Sequence, residues 1–166
     1  MNFKIIVAVD KDYGIGFENK LPWHFKSDMN FFKNITIGDG KNAVVMGKNT
    51  YLSIGRQLPK RDNLILSSSL EDETLKIFSN IDLLLDYCRL NYYDSIWIIG
   101  GESIYKQFLE KKLVNIIHLT EINNSYTCDT FFNKENLDEF TLSKNESSIT
   151  EDDVMLTFKK FYKKIH

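Results

Sequence analysis

Several residue patterns that define large classes of proteins are scarce or missing in this chain of 166 residues. The two cysteines, Cys88 and Cys128, and the three histidines form no metal-ligand or redox motif, so we expect no metal and two reduced thiols in a cytoplasmic protein. No apolar run approaches the ~18 residues of a membrane span, and the one near the N-terminus is too short for a signal-peptide core. A net charge of −2 without a basic stripe gives no reason to expect a nucleic acid or membrane partner.

The composition is that of an ordinary globular protein. Hydrophobic residues make up 43% of the chain and charged residues 27%, and the length is sufficient for a substantial core. The sequence contains no internal repeat, low-complexity segment or linker. We therefore expect a single domain over residues 1–166.

Short apolar runs alternate with segments of helical spacing along most of the chain. Strands are predicted at residues 3–9, 42–46, 63–66, 75–78, 95–99 and 114–122, and helices from residue 26 and at 48–54, 81–90 and 102–111. Near the end, apolar residues 140–142 and 154–158 bracket a polar stretch and predict a long antiparallel hairpin. The pattern predicts an α/β fold with a mainly parallel, mixed sheet flanked by helices and closed by this hairpin.

The segment from Gly14 to Phe32, GIGFENKLPWHFKSDMNFF, combines a shaped loop with the start of a helix. Its glycines and proline predict a loop carrying Trp23, neither strand nor helix. Asp28 then shares a helix face with apolar neighbours at −3, +3, +4 and +7. One interpretation is structural, since Ser27 can cap the helix and the helix dipole favours an acid in its first turn. The other is functional, because a carboxylate on an apolar face is expensive and typical of sites.

Three predicted strands end in glycine or hydroxyl residues beside a helix. These ends are 47-GKNT-50, 67-SS-68 and 100-GG-101. Ligands bind at the carboxyl ends of such strands, and a glycine approach to a helix N-terminus binds phosphate. Each strand end alone is weak evidence for a site. The glycine pair could serve only for close packing of helix and strand, and Lys48 could be an ordinary surface residue. The three ends together favour a nucleotide site. The sequence 38-GDGK-41 precedes a strand and is interpreted as a turn.

The ordered set of these motifs resembles the dihydrofolate reductase family over nearly the whole chain. The matching segments are 14-GIG-16, 21-LPW-23, Asp28, 45-VMGKNT-50, 53-SIGRQLPKRDN-63, 98-IIGG-101 with Tyr105, Thr120 and 128-CDTF-131. Each segment alone is unspecific, whereas their order is not. An aspartate at position 28 is similar to the bacterial branch of the family.

The resemblance implies a single-domain fold with an eight-stranded sheet, about four helices and an NADPH-dependent reaction. Dihydrofolate would be reduced to tetrahydrofolate for one-carbon metabolism, by a cytoplasmic monomer sensitive to diaminopyrimidine and pteridine antifolates. Asp28 would hold the pteridine N3 and 2-amino group, with Thr120 supporting it and Trp23 completing the catalytic set. A water admitted by the loop would deliver the proton to N5.

The resemblance also implies which residues contact each ligand. The expected substrate contacts are Ile6, Val7, Asp28, Met29, Phe32, Ile54, Leu58, Arg61, Ile99, Tyr105 and Thr120, with Arg61 pairing with the α-carboxylate. The expected NADPH contacts are Ala8, Ile15, Gly16, Asn19, Leu21, Gly47, Lys48, Asn49, Thr50, Ser53, Leu66, Ser67, Ser68, Ile99, Gly100, Gly101, Glu102, Ser103, Ile104, Tyr105 and Thr130. No metal contact is expected.

Three positions depart from the family pattern. Lys48 stands where arginine is more frequent in the family. A compact ammonium group therefore replaces a planar guanidinium group near the expected 2′-phosphate. Phe25-Lys26 replaces a frequent Leu-Pro, and Glu102 follows the glycine pair where a small residue is common.

Two other functions are compatible with some of these sequence features. The pyrimidine reductase of riboflavin synthesis shares the expected sheet and cofactor, although the Leu-Pro-Trp loop and Asp28 disfavour it. A folate- or nucleotide-binding module without turnover has the same sequence features.

Overall fold

The structure is a computed structural model that describes residues 1–165. The strands are β1 (Phe3–Val9), β2 (Gly14–Gly16), β3 (Ala43–Gly47), β4 (Asp62–Leu66), β5 (Lys76–Phe78), β6 (Ile96–Gly100), β7 (Val114–Ile122), β8 (Thr130–Phe131), β9 (Phe140–Leu142), β10 (Ser147–Glu151) and β11 (Val154–Lys163). The helices are α1 (Lys26–Ile37), α2 (Lys48–Ile54), α3 (Ile81–Leu90) and α4 (Glu102–Glu110), with a short 3-10 helix at Lys134–Leu137.

One mixed sheet forms the centre of the fold. Its continuous path of eight strands runs in the order β10-β11-β7-β1-β6-β3-β4-β5, and β9 pairs beside this path with β11. Six adjacent strands are mutually parallel, namely β7, β1, β6, β3, β4 and β5. Strand β11 is antiparallel to β7. The predicted α/β fold with a mainly parallel mixed sheet, four helices and antiparallel strands at the C-terminal end is confirmed.

Both faces of the central strands are covered, which explains why those strands are almost continuously apolar. Helices α3 and α4 pack on one face, where Leu84 and Phe108 are fully buried. Helices α1 and α2 cover the other face, where Phe32 and Ile54 pack against the cluster around Met46. None of the helices in residues 1–165 is both long and apolar enough to cross a membrane.

The loop prediction for residues 14–23 is wrong at its beginning. Gly14–Gly16 forms the short strand β2, which pairs with β8, so that Gly14 lies opposite Phe131 and Gly16 opposite Thr130. Strand pairing with a segment more than a hundred residues away leaves no local signal in a glycine-rich sequence. The turn predicted at residues 38–41 is present, with positive φ at Gly38 and Gly40.

The polar stretch of the predicted terminal hairpin contains a strand that the sequence did not indicate. Strand β10 is exposed along most of its length at the sheet edge, so its side chains can be polar. It joins β11 through Asp152 and Asp153, whose φ values of 51° and 62° form a tight two-residue turn. Further back, the interpretation of Ser27 as a helix cap is wrong, because the N-cap of α1 is Phe25 and no side chain of its own caps the helix.

Candidate active site

A large cleft opens at the carboxyl ends of the parallel strands, and residues of α1, α2 and α4 contribute to its lining. Its volume is about 1590 Å³, which exceeds that of a site for one small ligand. The lining comprises the ends of β1, β3, β4 and β6 together with the segment that follows β2. The position agrees with the general rule for ligands of parallel sheets.

All of the residues that the sequence predicted for a site lie in the lining of this cleft. Around the expected substrate end these are Ile6, Val7, Trp23, Asp28, Met29, Phe32, Ile54, Leu58, Arg61, Ile99, Tyr105 and Thr120. Around the expected cofactor end they are Ala8, Ile15, Gly16, Asn19, Leu21, Gly47, Lys48, Asn49, Thr50, Ser53, Leu66, Ser67, Ser68, Gly100, Gly101, Glu102, Ser103, Ile104 and Thr130. The chain therefore brings one contiguous set of residues together from both halves of the sequence.

Asp28 is the carboxyl group on the apolar wall of the cleft. It lies in the first turn of α1 and is partly buried beside Phe25 and Phe32. Burial is the main cause that raises the pKa of Asp28, and the negative field of Glu151 raises it further. A side-chain hydrogen bond with Thr120 acts in the opposite direction by stabilising the carboxylate.

Trp23 closes the cleft near Asp28. Its side chain is 8% exposed and its ring packs against Tyr126 with a centroid separation of 5.3 Å. The indole Nε1 is buried and has no hydrogen-bond partner among residues 1–165. Because buried N–H groups are nearly always paired, this donor is suited to a water or ligand in the cleft.

The segment between β2 and Trp23 forms a tight turn over the cleft. Phe17 bridges to Lys20, and the two residues between them, Glu18 and Asn19, have φ values of 49° and 62°. The Glu18 N–H donates to Asp129 Oδ2 at 2.9 Å, which fastens the turn to the segment before β8.

The two glycines of β2 allow a close approach to that same segment. A Cβ added at Gly14 would lie 2.4 Å from Cys128 Sγ, and one at Gly16 would lie 2.8 Å from Thr130 Oγ1. Both distances are too short for a side chain. Close packing against Cys128 and Thr130 therefore favours glycine at both positions.

Asp10 also anchors this region, although no local sequence pattern indicates it. The side chain is 1% exposed. Its Oδ1 accepts the N–H groups of Asp12 and Gly14 at 2.9 and 2.8 Å, and its Oδ2 accepts that of Tyr126 at 3.0 Å. One buried carboxylate thus joins the chain after β1 to the chain before β8.

The end of β6 is shaped to accept a phosphate group. Gly100 has a φ of 125°, a cis peptide bond joins it to Gly101, and Gly101 starts α4 without a side-chain cap. A Cβ at Gly100 would lie 3.4 Å from Tyr105 Oη and 3.6 Å from Thr50 Oγ1. The backbone of the two glycines, the Thr50 hydroxyl group and the first N–H groups of α4 thus lie close together, an arrangement suited to a pyrophosphate.

A second polar corner lies at the ends of β3 and β4. The Lys48 ammonium donates to Ser69 Oγ at 3.3 Å. Ser67 Oγ accepts the N–H groups of Ser69 and Leu70 at 3.2 and 3.0 Å, which shapes the serine turn. A cation held beside exposed hydroxyl groups suits a phosphate monoester.

Arg61 is oriented by contacts that the sequence did not indicate. Its Nε donates to the Pro59 carbonyl at 2.9 Å and its Nη1 to Thr36 Oγ1 at 3.0 Å. Thr36 is fully buried and donates in turn to the Phe32 carbonyl at 2.7 Å. Burial, and then the charge of Arg56, lower the pKa of Arg61, yet a guanidinium stays protonated and can still bind a carboxylate.

Sequence reasoning missed part of the lining. The additional residues are Lys20, His24, Phe25, Asn30, Lys33, Arg56, Pro59, Ser69, Ser79, Asn80, Ile81 and Gln107. The sequence pattern could have indicated two of these lining residues. Lys33 follows the predicted Met29 by one helical turn, and Ser69 continues the run of Ser67 and Ser68. In residues 1–165 no group of three His, Cys, Asp or Glu side chains is arranged to hold a metal.

The fold and the cleft define the class of α/β protein whose ligand site lies at the carboxyl ends of its parallel strands. Comparison with known proteins gives the family. A family model described as dihydrofolate reductase matches residues 2–163.

Individual relatives agree with the family model. The chain is 34% identical over 165 residues to dihydrofolate reductase from Aedes albopictus, covering 90% of this chain and 88% of the relative. It is 36% identical over 147 residues to dihydrofolate reductase from Haemophilus influenzae, covering 88% of each chain. For the enzyme from Drosophila melanogaster the identity is 33% over 144 residues, covering 80% of this chain and 79% of the relative. The chain belongs to the dihydrofolate reductase family, whose members are enzymes that use NADPH.

Proposed function

We propose that the cleft carries out the family reaction with the sequence-predicted residues in the roles set out below. In this reaction 7,8-dihydrofolate is reduced to 5,6,7,8-tetrahydrofolate, which supplies one-carbon units for thymidylate, purine and amino-acid synthesis. The observation that carries the proposal is the position of Asp28, a carboxyl group with a raised pKa, in the lining of the same cleft as the Gly100–Gly101 turn.

Asp28 binds and orients the pteridine ring. Its two oxygens accept hydrogen bonds from N3 and the 2-amino group, and this pairing compensates the carboxylate for its burial. Thr120, on the neighbouring strand β7, holds the carboxyl group in place through its hydroxyl. This geometry also suits the diaminopyrimidine and pteridine antifolates, which present a similar edge.

When bound in this cleft, NADPH would supply the hydride for C6 of the pteridine, and N5 would gain a proton. Asp28 holds the ring by the edge remote from N5, so the proton is delivered by a water. The Trp23 Nε1–H, which has no partner among the described residues, supports a water position in the cleft that Asp28 also lines. The turn at Glu18 and Asn19 excludes other water, which strengthens the electrostatic effect of Asp28 on the ring.

Apolar side chains form the walls around the two rings. Ile6, Val7, Phe32, Ile54 and Ile99 enclose the pteridine and the nicotinamide, and Met29 and Leu58 contact the aminobenzoyl group. Arg61, held by Thr36 and Pro59, directs its remaining donors at the substrate's α-carboxylate.

A second group of residues in the cleft lining would hold the cofactor. Gly100, Gly101 and the start of α4 hold the pyrophosphate, with the Thr50 hydroxyl close to both glycines. Lys48 and Ser68 bind the 2′-phosphate, which gives NADPH its advantage over NADH. Glu102 lies near the pyrophosphate and weakens binding there by its negative charge.

The organisation of the chain is part of the proposal. One domain over residues 1–166 is supported by the single family match and by the continuous sheet, although His166 lies outside the described residues. A monomer of the aspartate-type branch is the form that we propose, on the family pattern. A cytoplasmic location is supported by two free cysteines, Cys88 and Cys128.

A substrate panel tests the function. The protein is mixed with NADPH and, in turn, dihydrofolate, dihydrobiopterin or the pyrimidine precursor of riboflavin, and the loss of NADPH absorbance is recorded. We expect turnover with dihydrofolate alone, blocked by a diaminopyrimidine antifolate. Turnover of the riboflavin precursor, or binding of dihydrofolate without NADPH loss, refutes the proposal.

A further inference from the structure

The first turn of α1 needs hydrogen-bond acceptors from outside the helix. An α-helix leaves its first N–H groups without intrahelical partners, and a side chain at the N-cap usually accepts one of them. Here the N-cap is Phe25, which has no side-chain acceptor, and its carbonyl accepts the N–H of Met29 at 3.1 Å. The N–H groups of Lys26 and Ser27, immediately before Asp28, therefore depend on another part of the chain.

Glu151 supplies both acceptors from the other end of the sequence. Its Oε2 accepts the Lys26 N–H at 2.8 Å, and its Oε1 accepts the Ser27 N–H at 2.9 Å. Glu151 is the last residue of β10, and the tight turn at Asp152 and Asp153 fixes its position against β11. A carboxylate on a hairpin of the main sheet thus caps the helix that carries Asp28.

The charge of Glu151 also reaches the cleft. The hydrogen bond from the Ser27 N–H, followed by the Lys26 N–H and the Lys26 charge, lowers the pKa of Glu151, so it remains an anion. Its field then opposes ionisation of Asp28, whose other partner is the Thr120 hydroxyl on β7. The charged groups of the cleft lining around Asp28 include Lys33 on α1, His24 before it, and Arg56 and Arg61 beyond α2.

We propose that Glu151, which lies outside the cleft lining, is a positioning residue for the reaction, because its carboxylate holds the first turn of α1 and thereby the Asp28 carboxyl group against the substrate. This inference rests on the proposed function for its kinetic consequences. The structural part, a carboxylate that caps α1 and acts electrostatically on Asp28, stands without it.

The experiment compares three variants that separate the cap from the charge. Glu151→Gln keeps the size and one acceptor oxygen but loses the charge, whereas Glu151→Ala loses both. Asp153→Asn removes the same charge two residues further on, in a turn position that Asn tolerates, and serves as the matched control. The Asp28 carboxyl is titrated by NMR in the ligand-free protein, with its resonance assigned by its loss in Asp28→Asn.

We expect the Asp28 midpoint to fall by on the order of 0.3 pH unit in both Glu151 variants and not in Asp153→Asn, because a nearby like charge has been removed. Added salt should lower the wild-type midpoint in the same direction but leave that of Glu151→Gln unchanged. In kinetics, Glu151→Ala should raise KM for dihydrofolate about fivefold with unchanged NADPH affinity, and Glu151→Gln should restore most of this loss.

Two results overturn the inference. One is an Asp28 midpoint in Glu151→Gln that matches the wild type and Asp153→Asn. The other is a loss of dihydrofolate affinity in Glu151→Ala that Gln does not restore. If the wild type itself fails to oxidise NADPH with dihydrofolate, the proposed function fails, while the NMR titration still decides the role of Glu151.

Discussion

Asp129 Oδ2 accepts the main-chain N–H of Glu18 at 2.9 Å, across 111 residues of sequence. The contact lies next to the pairing of Gly16 with Thr130, so the turn that lines the cleft is held by two neighbouring attachments. Because one of them is a side-chain hydrogen bond to a charged acceptor, it can be removed by substitution without changing the strand pairing.

Asp129→Ala should slow hydride transfer about tenfold, because loss of this hydrogen bond lets the turn leave the cleft and admits water. Asp129→Asn retains an acceptor oxygen and should remain within about twofold of the wild type. Stopped-flow measurement of NADPH oxidation in a single turnover checks both. Equal rates for Asp129→Ala and the wild type would show that the turn needs no such attachment.

Lys48 should determine the preference for NADPH. Lys48→Ala removes the cation held beside Ser69, and we expect the ratio of kcat/KM for NADPH to that for NADH to fall about 10- to 100-fold, the range of one charge-assisted hydrogen bond. Lys106→Ala, on the exposed face of α4 outside this cleft, is the control and should leave the ratio unchanged. An unaltered ratio in Lys48→Ala contradicts its assignment to the 2′-phosphate.

Thr36 should influence substrate affinity although it does not line the cleft. Thr36→Val keeps the shape but removes the hydroxyl that accepts from Arg61, so the guanidinium loses its orientation. We expect KM for dihydrofolate to rise about fivefold, and KM for a dihydropterin lacking the glutamate to stay constant. An exposed threonine on β9, Thr141, provides the control variant Thr141→Val. Parallel rises for both substrates would mean that Thr36 acts on packing alone.

Asp28 should lower the stability of the folded protein at neutral pH. Folding raises the pKa of Asp28. Its favourable contribution to the free energy of unfolding is therefore fully present below the pKa of the unfolded state, and it is lost as the pH rises through the pKa of the folded state. Asp28→Asn should therefore melt about 2 °C above the wild type at neutral pH and at nearly the same temperature at about pH 3. Calorimetry at several pH values measures this difference. A less stable Asp28→Asn variant at neutral pH would show that Asp28 is stabilising as a charge.

The parts of the structure that the sequence predicted are those with local physical signals. The buried strands are continuous apolar runs, and α3 has a local cap in Asn80, which accepts the Leu83 N–H at 3.0 Å. Asp28 was found because a charge interrupts an apolar helix face, and Gly100–Gly101 because glycines follow a strand directly.

The parts that were missed depend on contacts between distant segments. Strand β10 is polar and exposed, so it has no hydrophobic alternation by which a sequence can be recognised. Asp10, Thr36 and Glu151 look like ordinary polar residues until the fold sets them beside the N–H groups or the guanidinium that they bind. Tertiary contact, which no window of sequence contains, decided their roles.

The most direct test of the account is the single-turnover rate of NADPH oxidation by wild type and Asp28→Asn at neutral pH, with dihydrofolate in excess and NADPH affinity measured separately. Asp39→Asn, in the exposed turn after α1, is the control. We predict a rate at least ~100-fold lower for Asp28→Asn, with unchanged NADPH affinity. A rate for Asp28→Asn equal to that of the wild type would contradict the account.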